Sequence, residues 1–372
     1  MRVIIAAAGT GGHINPGIAI ANKIKEKNPK SEIIFIGTNR GLENDLVPRA
    51  GYKLKTIDVY GLKKELSLTN LKHILQTIGS RKDVKKIFDE FKPDIVIGTG
   101  GYICGPVFYV ATKRKIPTML HESNAYPGKA VKLFSKKVDA VLVGFEEAKA
   151  RLEGCKNVVV TGTPTKIRKI NITSQRKKEI LDELGIRNDL PIVLVYGGSQ
   201  GAQRINEAVI DLVKQKRNKN YQIIWATGTK QFDIVKENFE KDNIYINSLK
   251  NVKILPYIYN MEELMNISDL MVCRSGAMTI TEVSIVGKPA IFIPLPSFSA
   301  NRQEDNALVL KKIGAAKMIL NNDVNGQNLA EEIGEIICDK VELEEMGKMA
   351  ETIAPSNVED KIYAEIDKIL KK

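Results

Sequence analysis

The chain has 372 residues, 56 Lys+Arg against 44 Asp+Glu for a net charge of +12, and 43% hydrophobic residues. That length exceeds one ordinary domain and suits two, and the balanced composition excludes disordered and repetitive classes. No apolar run approaches the ~18–20 residues a transmembrane helix needs. The charge favours anionic partners: nucleotides, nucleic acid or an anionic membrane. Cys104, Cys155, Cys273 and Cys338 lie far apart with no CxxC pair, which argues against a disulfide framework or zinc site and fits a reducing cytoplasm.

The chain opens on an apolar run that enters a glycine turn, so 2–7 reads as a first strand and not as a signal peptide. Further strands are predicted at 32–37, 53–58, 94–98, 117–121, 138–143 and 157–161, with helical patterns at 16–28, 41–50, 67–90, 105–114, 126–136 and 145–151. The span 162–190, with Gly162, Pro164 and a basic stretch from Lys166 to Lys169, reads as the domain boundary. Beyond it, strands at 191–196, 221–226, 252–255, 269–273 and 289–293 alternate with helices at 202–217, 230–240, 260–266, 277–286, 302–313, 325–338 and 341–352. A last amphipathic pattern, 357–370, follows Pro355 and either caps the second domain or crosses back to the first. Val/Ile-rich runs alternating with helices predict an α/β protein of two Rossmann-like domains, each a parallel sheet covered on both faces. The expected division is 1–163, 164–354 and a C-terminal helix in 355–372.

One device occurs in both halves: a short apolar strand ending in bare glycines that open a helix. It is Gly9-Thr10-Gly11-Gly12-His13 first and Gly197-Gly198-Ser199-Gln200-Gly201 second. Such a turn leaves backbone N–H groups directed at one spot, where the helix dipole favours an anion. The first copy is not a dinucleotide fingerprint, since Ile14 stands where the third glycine belongs and the strand ending Gly37-Thr38 has no acid placed for a ribose. No Gly-Lys pair is followed by Ser or Thr, so a P-loop is absent, and so is any D-x-D pattern for a metal-bound sugar nucleotide. These absences leave a metal-free binder of a phosphosugar, with no cofactor expected.

Arg274-Ser275-Gly276-Ala277-Met278-Thr279-Ile280-Thr281-Glu282 reads as a turn and helix start after the strand 269–273. Its N–H and hydroxyl groups suit a diphosphate, and Glu282 can accept both hydroxyls of a ribose. Read alone, the same pattern is an ordinary helix start; beside Gly197–Gly201 the ligand reading gains. In the first half, His13, Glu122 and Asn124 fall at strand ends that converge on one sheet edge, with Gly98-Thr99-Gly100-Gly101-Tyr102 a further glycine-rich end. His13 qualifies as a general base by type, and Glu122 would if desolvated. In 62–90, Leu68, Leu71, Leu75 and Ile78 form a stripe with Lys and Arg around it, a pattern that fits equally a core-packed helix and one lying on an anionic bilayer.

The order of these motifs, with His121-Glu122-Ser123-Asn124 among them, resembles the MurG-type N-acetylglucosaminyltransferases of peptidoglycan synthesis over nearly the whole chain. The resemblance implies a B-type glycosyltransferase fold with the active site between two domains. It implies inverting transfer of GlcNAc from UDP-GlcNAc to the MurNAc 4-hydroxyl of undecaprenyl-diphospho-MurNAc-pentapeptide (lipid I), giving lipid II without a metal. A membrane-bound acceptor favours the bilayer reading of 62–90 and a peripheral place on the cytoplasmic face of the cell membrane; no nucleic-acid partner is implied. Carried over, the resemblance gives diphosphate or sugar contacts to Gly198, Ser199, Gln200 and Gly201, a uracil contact to the backbone of Ile258, and diphosphate contacts to Ala277, Met278, Thr279, Ile280 and Thr281, with Arg274, Ser275 and Gly276 also substrate-binding. It gives the ribose to Glu282 and the GlcNAc hydroxyls to Gln303, with Thr10, Gly11, Gly12 and Asn124 from the first domain. His13 leads as base, with Glu122 and Tyr102 in support.

Four positions depart from the family pattern. Ala8 replaces a glycine, Ser123 a glutamine, and Thr163 and Lys166 stand for Asn and Arg. Lysine lacks the planar fork of arginine, which weakens the phosphate role carried to Lys166. Rival readings are a diacylglycerol glycosyltransferase, a UDP-GlcNAc 2-epimerase, a non-catalytic membrane-surface scaffold that binds nucleotide-sugar, and a nucleic-acid binder.

Overall fold

The computed structural model describes residues 1–61, 73, 76–187, 189–198, 200–296 and 303–371. The chain divides into two compact units, Met1–Lys166 with Pro355–Lys372, and Ile167–Ala354.

The first unit holds a seven-stranded parallel sheet: β1 (Arg2–Ala6), β2 (Glu32–Gly37), β3 (Lys53–Thr56), β4 (Ile95–Gly98), β5 (Thr118–Glu122), β6 (Ala140–Val143) and β7 (Val158–Val160), in the order β3-β2-β1-β4-β5-β6-β7. Successive side chains leave a strand on opposite faces. Val3, Ile5 and Ala7 therefore join one core with Ile14, Ile18 and Ile24 of the helix Gly11–Lys27, while Ile4, Ala6 and Ala8 join another with Phe88, Val107 and Phe108. The C-terminal helix Val358–Leu370 belongs to this unit, with Val358, Ile362, Ile366 and Ile369 in the first of those cores and Lys23 and Lys27 bridged to Asp360.

The second unit holds a six-stranded parallel sheet: β8 (Ile192–Tyr196), β9 (Gln222–Ala226), β10 (Val252–Leu255), β11 (Leu270–Cys273), β12 (Ala290–Phe292) and β13 (Ala316–Met318), in the order β10-β9-β8-β11-β12-β13. Trp225, Phe239, Ile205 and Ile333 fill one of its faces. The sequence pattern misses β13, whose three residues are too few for a periodicity to register.

Both sheets reverse strand order beside their first strand, between β1 and β4 and between β8 and β11. Ligands of open parallel sheets bind at the carboxyl ends of strands flanking such a reversal. Ala6 is level with Gly98, and Tyr196 with Cys273, so each glycine turn emerges beside the turn of the adjoining strand.

One expectation needs correction. The first helix starts at Gly11 and not at 16, with Pro16 inside it, so Gly11, Gly12 and His13 are its first turn. Pro16 has no N–H and leaves the Gly12 carbonyl without a helical partner. The helical pattern expected over 67–90 is helical at 73 and 76–79 and again in the helix Arg81–Phe91, with a turn at Ser80; residues 62–72, 74 and 75, with Leu68, Leu71 and Leu75 of the proposed stripe, lie outside the described residues.

Candidate active site

In the first unit, Gly9 leaves β1 with φ +95° and Thr10 caps the helix Gly11–Lys27 through its backbone alone. The N–H groups of Gly11 and Gly12 precede the first helical acceptor, and the first turn holds no acidic residue, so this end of the dipole is uncompensated within its helix. His13 is half-buried, and its Nδ1 lies 3.3 Å from the Ala8 carbonyl oxygen. A carbonyl carries no proton, so Nδ1 donates and Nε2 keeps its lone pair. Thr99 Oγ1 donates to the His13 carbonyl at 2.6 Å, tying the helix start to the end of β4.

Gly100 and Gly101, at φ +102° and +81°, make room for the ring: a Cβ at Gly100 would lie 2.8 Å from His13 Cδ2, and one at Gly101 3.3 Å from Nδ1. Burial lowers the His13 pKa below the ordinary histidine value, against opposing pulls from the Glu122 charge and the Ala8 carbonyl. A neutral imidazole with a free Nε2 at a sheet reversal is the form a general base requires.

Glu122 is buried at the end of β5, and its carboxylate shapes the turn that follows. Oε1 accepts from the N–H and the side-chain amide of Asn124, both at 2.9 Å, and Oε2 from the Gly128 N–H at 2.7 Å. Asn124 is thereby fixed, and Glu122 bears on His13 through its charge. Neighbouring His121 is fully buried, donates from Nε2 to the Gly162 carbonyl at 3.0 Å, and its pKa is driven down to about 4 by burial. Tyr102 is exposed, its ring 3.5 Å from where a Cβ on Gly61 would stand. Lys166 is exposed at the end of the unit.

In the second unit, Gly198 and Gly201 take φ of +90° and +82° in the turn after β8, and the Gly201 N–H donates to the Gly198 carbonyl at 2.9 Å. Gly201 meets Gly228, at φ +87°, backbone against backbone, so the turn is locked to the end of β9 where no side chain fits. Gln200 is exposed; Ser199 lies outside the described residues. The turn after β11 leads into the helix Ala277–Val286, capped by Gly276 without a side chain and again free of acid in its first turn.

Several residues given ligand roles by sequence have side chains that turn elsewhere. Ile280 is fully buried in the core and offers only backbone, and the Thr281 hydroxyl donates to the Ala277 carbonyl at 3.1 Å. Ser275 is buried with its hydroxyl on the Gln303 carbonyl at 2.8 Å. The Arg274 guanidinium holds the carbonyls of Ile293 and Pro294 and Asn321 Oδ1, at 2.9, 3.2 and 2.8 Å; burial lowers its pKa to about 10. Gln303 is buried and accepts the Leu295 N–H on its Oε1 at 3.0 Å, which leaves its amide donors as the free end. Ala277 is buried, Met278 and Thr279 are half-buried at the helix start, and the Ile258 side chain is buried between exposed Tyr257 and Tyr259. Glu282 sits half-buried one turn in, and its charge raises the pKa of both Tyr196 and Cys273 behind it, where burial is the larger cause.

Sequence reasoning missed Glu43, Asn306 and Asn321. Asn306 is fully buried and donates to the Ser275 carbonyl at 3.2 Å. Glu43 is fully buried and accepts the Gly9 N–H at 2.9 Å. The search for an acid at the end of β2 stops at Thr38, and Glu43 returns to that place through the turn that follows.

Two parallel-sheet units with glycine turns at their strand-order reversals define the B-type glycosyltransferase class. The family models for the N-terminal and C-terminal domains of glycosyltransferase family 28 match residues 3–143 and 192–362. Relatives in Acetivibrio thermocellus and Ruminiclostridium cellulolyticum are 42% and 43% identical, each over 100% of this chain and 99% and 100% of their own. Both are called UDP-N-acetylglucosamine–N-acetylmuramyl-(pentapeptide) pyrophosphoryl-undecaprenol N-acetylglucosamine transferase. Among solved structures, MurG of Acinetobacter baumannii matches with TM-score 0.76 at 27% identity over 99% of both chains. A UDP-GlcNAc 2-epimerase of Neisseria meningitidis, at 17% identity and TM-score 0.67 over 99% of this chain and 100% of its own, shares the fold. The chain belongs to glycosyltransferase family 28, among its MurG-type N-acetylglucosaminyltransferases.

Proposed function

We propose that the protein transfers GlcNAc from UDP-GlcNAc to the MurNAc 4-hydroxyl of lipid I, with inversion, to give lipid II in peptidoglycan synthesis. The observation that carries this reading is the full-length identity to relatives named for that transfer. The site chemistry agrees. His13 Nε2 takes the proton of the attacking hydroxyl, while Glu122 holds Asn124 and favours the imidazolium that forms. Charge develops on the departing diphosphate, and the N–H groups at the start of Ala277–Val286 are the donors for it, as in an oxyanion hole, with the glycine turn after β8 beside them. Glu282 takes the ribose, the backbone at Ile258 the uracil, and the Gln303 amide donors the sugar hydroxyls. A lipid-borne acceptor supports a peripheral position on the cytoplasmic face of the membrane, with the basic stretch 62–90 as the proposed contact. Among the described residues no helix is long and apolar enough to cross a membrane.

The test is transfer of labelled GlcNAc to a short-chain lipid I analogue with EDTA present and UDP-GalNAc and UDP-glucose as rival donors. Labelled disaccharide lipid from UDP-GlcNAc alone is expected. Isomerisation of UDP-GlcNAc without acceptor would favour the epimerase reading, and donor binding without turnover the scaffold.

A further inference from the structure

The peptide joining Ala8 to Gly9 is held at both ends. Its N–H donates to Glu43 Oε2 at 2.9 Å, and its carbonyl accepts from His13 Nδ1 at 3.3 Å. The unit is trans, so N–H and C=O point in opposite directions from one rigid plane. A force on one end is therefore felt at the other. The next carbonyl, of Gly9, accepts from the Leu42 N–H at 3.5 Å, which fastens the glycine to the same turn.

Glu43 is itself fixed. Its Oε1 accepts the Thr38 N–H at 2.9 Å and the Thr38 hydroxyl at 2.6 Å, and the side chain runs where a Cβ at Gly37 would stand 2.7 Å from its Cγ. Burial pushes its pKa up, but the bonds from Thr38 and Gly9 outweigh that and hold it below the usual glutamate value. A buried anion is costly unless its hydrogen bonds are met, and here they come from the ends of β1 and β2 and from Glu43's own backbone N–H.

We propose that Glu43 is a positioning residue for His13, acting through the Ala8–Gly9 peptide to fix the imidazole as the Nδ1–H tautomer with Nε2 free. The arrangement is that of a carboxylate orienting a catalytic histidine, with a peptide group inserted between them. An anion on the N–H polarises the amide and makes its carbonyl a stronger acceptor for Nδ1–H. The inference rests on His13 being the base.

A double-mutant cycle in the transfer assay tests it. Glu43→Gln puts an amide donor against either Gly9 or Thr38, and the expected result is kcat lower by about 10- to 100-fold with the KM for UDP-GlcNAc unchanged. In a His13→Ala enzyme the same change is expected to cost nothing further, because its route is gone. Losses that multiply in the double variant, with His13→Ala itself impaired, would overturn the relay and leave the base reading standing. Full activity in His13→Ala would remove the base reading instead. Should Glu43→Gln not fold, 15N NMR of the unmutated protein decides: His13 is expected protonated at Nδ1 and bare at Nε2 near neutral pH, and the opposite tautomer would refute the proposal.

Discussion

The two glycine turns start from the same strand-to-helix device and end differently. In the first unit the turn is surrounded by ionisable groups: Glu43 holds Gly9, His13 closes the first helical turn, and the Glu122 charge bears on His13. In the second unit the turn is held backbone to backbone, Gly201 against Gly228, and the one arginine beside the neighbouring helix start is absorbed by carbonyls and Asn321. A turn ringed by groups that can exchange protons suits deprotonation of an acceptor. A turn of glycine backbone beside a helix start suits a leaving diphosphate, whose charge it meets without titrating.

The largest effect expected from this contrast is on proton transfer. His13→Ala should lower kcat by about 10²- to 10⁴-fold while leaving the donor KM in place; an unaffected kcat would erase the distinction between the turns. In the unmutated enzyme, kcat/KM should rise with pH along an acidic limb centred below 6.5, because the base must be neutral and burial depresses it.

Next comes acid stability. All three histidines lie in the first unit, and the one tryptophan, Trp225, in the second. His121, held down to about 4 in the fold, takes up protons on unfolding between there and the unfolded value. Its contribution to stability is complete above about pH 6.5 and declines toward pH 4, by about 3 kcal/mol in all. Urea melts over that range should therefore show first-unit structure failing before Trp225 fluorescence changes; coincident loss at every pH would contradict the assignment.

Glu282→Ala should raise the donor KM by about 10- to 100-fold, as expected for removing a charged hydrogen-bond acceptor, with the acceptor KM unchanged. Unchanged donor KM and kcat together would rule out the ribose role. The smallest change is Gly228→Ala, which sets a Cβ at φ +87° against Gly201. It should cost about 1–3 kcal/mol of second-unit stability, read from Trp225 melting, and weaken the donor without moving the pH profile.

How much of this could be read from the chain differs by element. The strands β1, β4, β8 and β11 announce themselves as continuous apolar runs because both faces of a parallel sheet are buried. The glycine turns, His13 and Glu122 stand out because they fall at the carboxyl ends of apolar strands, where open parallel sheets bind ligands. The helix start at Gly11 is hidden, since glycines followed by Pro16 look like loop until packing of Ile14, Gly17 and Ile18 on the sheet fixes them as helix. Ile280, Thr281 and Ser275 sit in the right segment for a ligand, yet only the folded helix shows that their side chains face the core.

The sequence by itself determined the alternation of strands and helices, the two glycine turns and the family, because each depends on local pattern or on the order of motifs. The tertiary structure alone decided which groups meet. Glu43 is 34 residues from Gly9 in the chain, and no periodicity links them. Their contact exists because β1 and β2 pair in parallel register, which brings the turns at both carboxyl ends to one place. The last helix, far along the chain after Pro355, lies in the first unit for a similar reason: its apolar stripe completes a core that Ile14, Ile18 and Ile24 leave unfilled. Burial of apolar surface selects such long-range contacts, and it acts on surfaces that exist only once the sheets have formed.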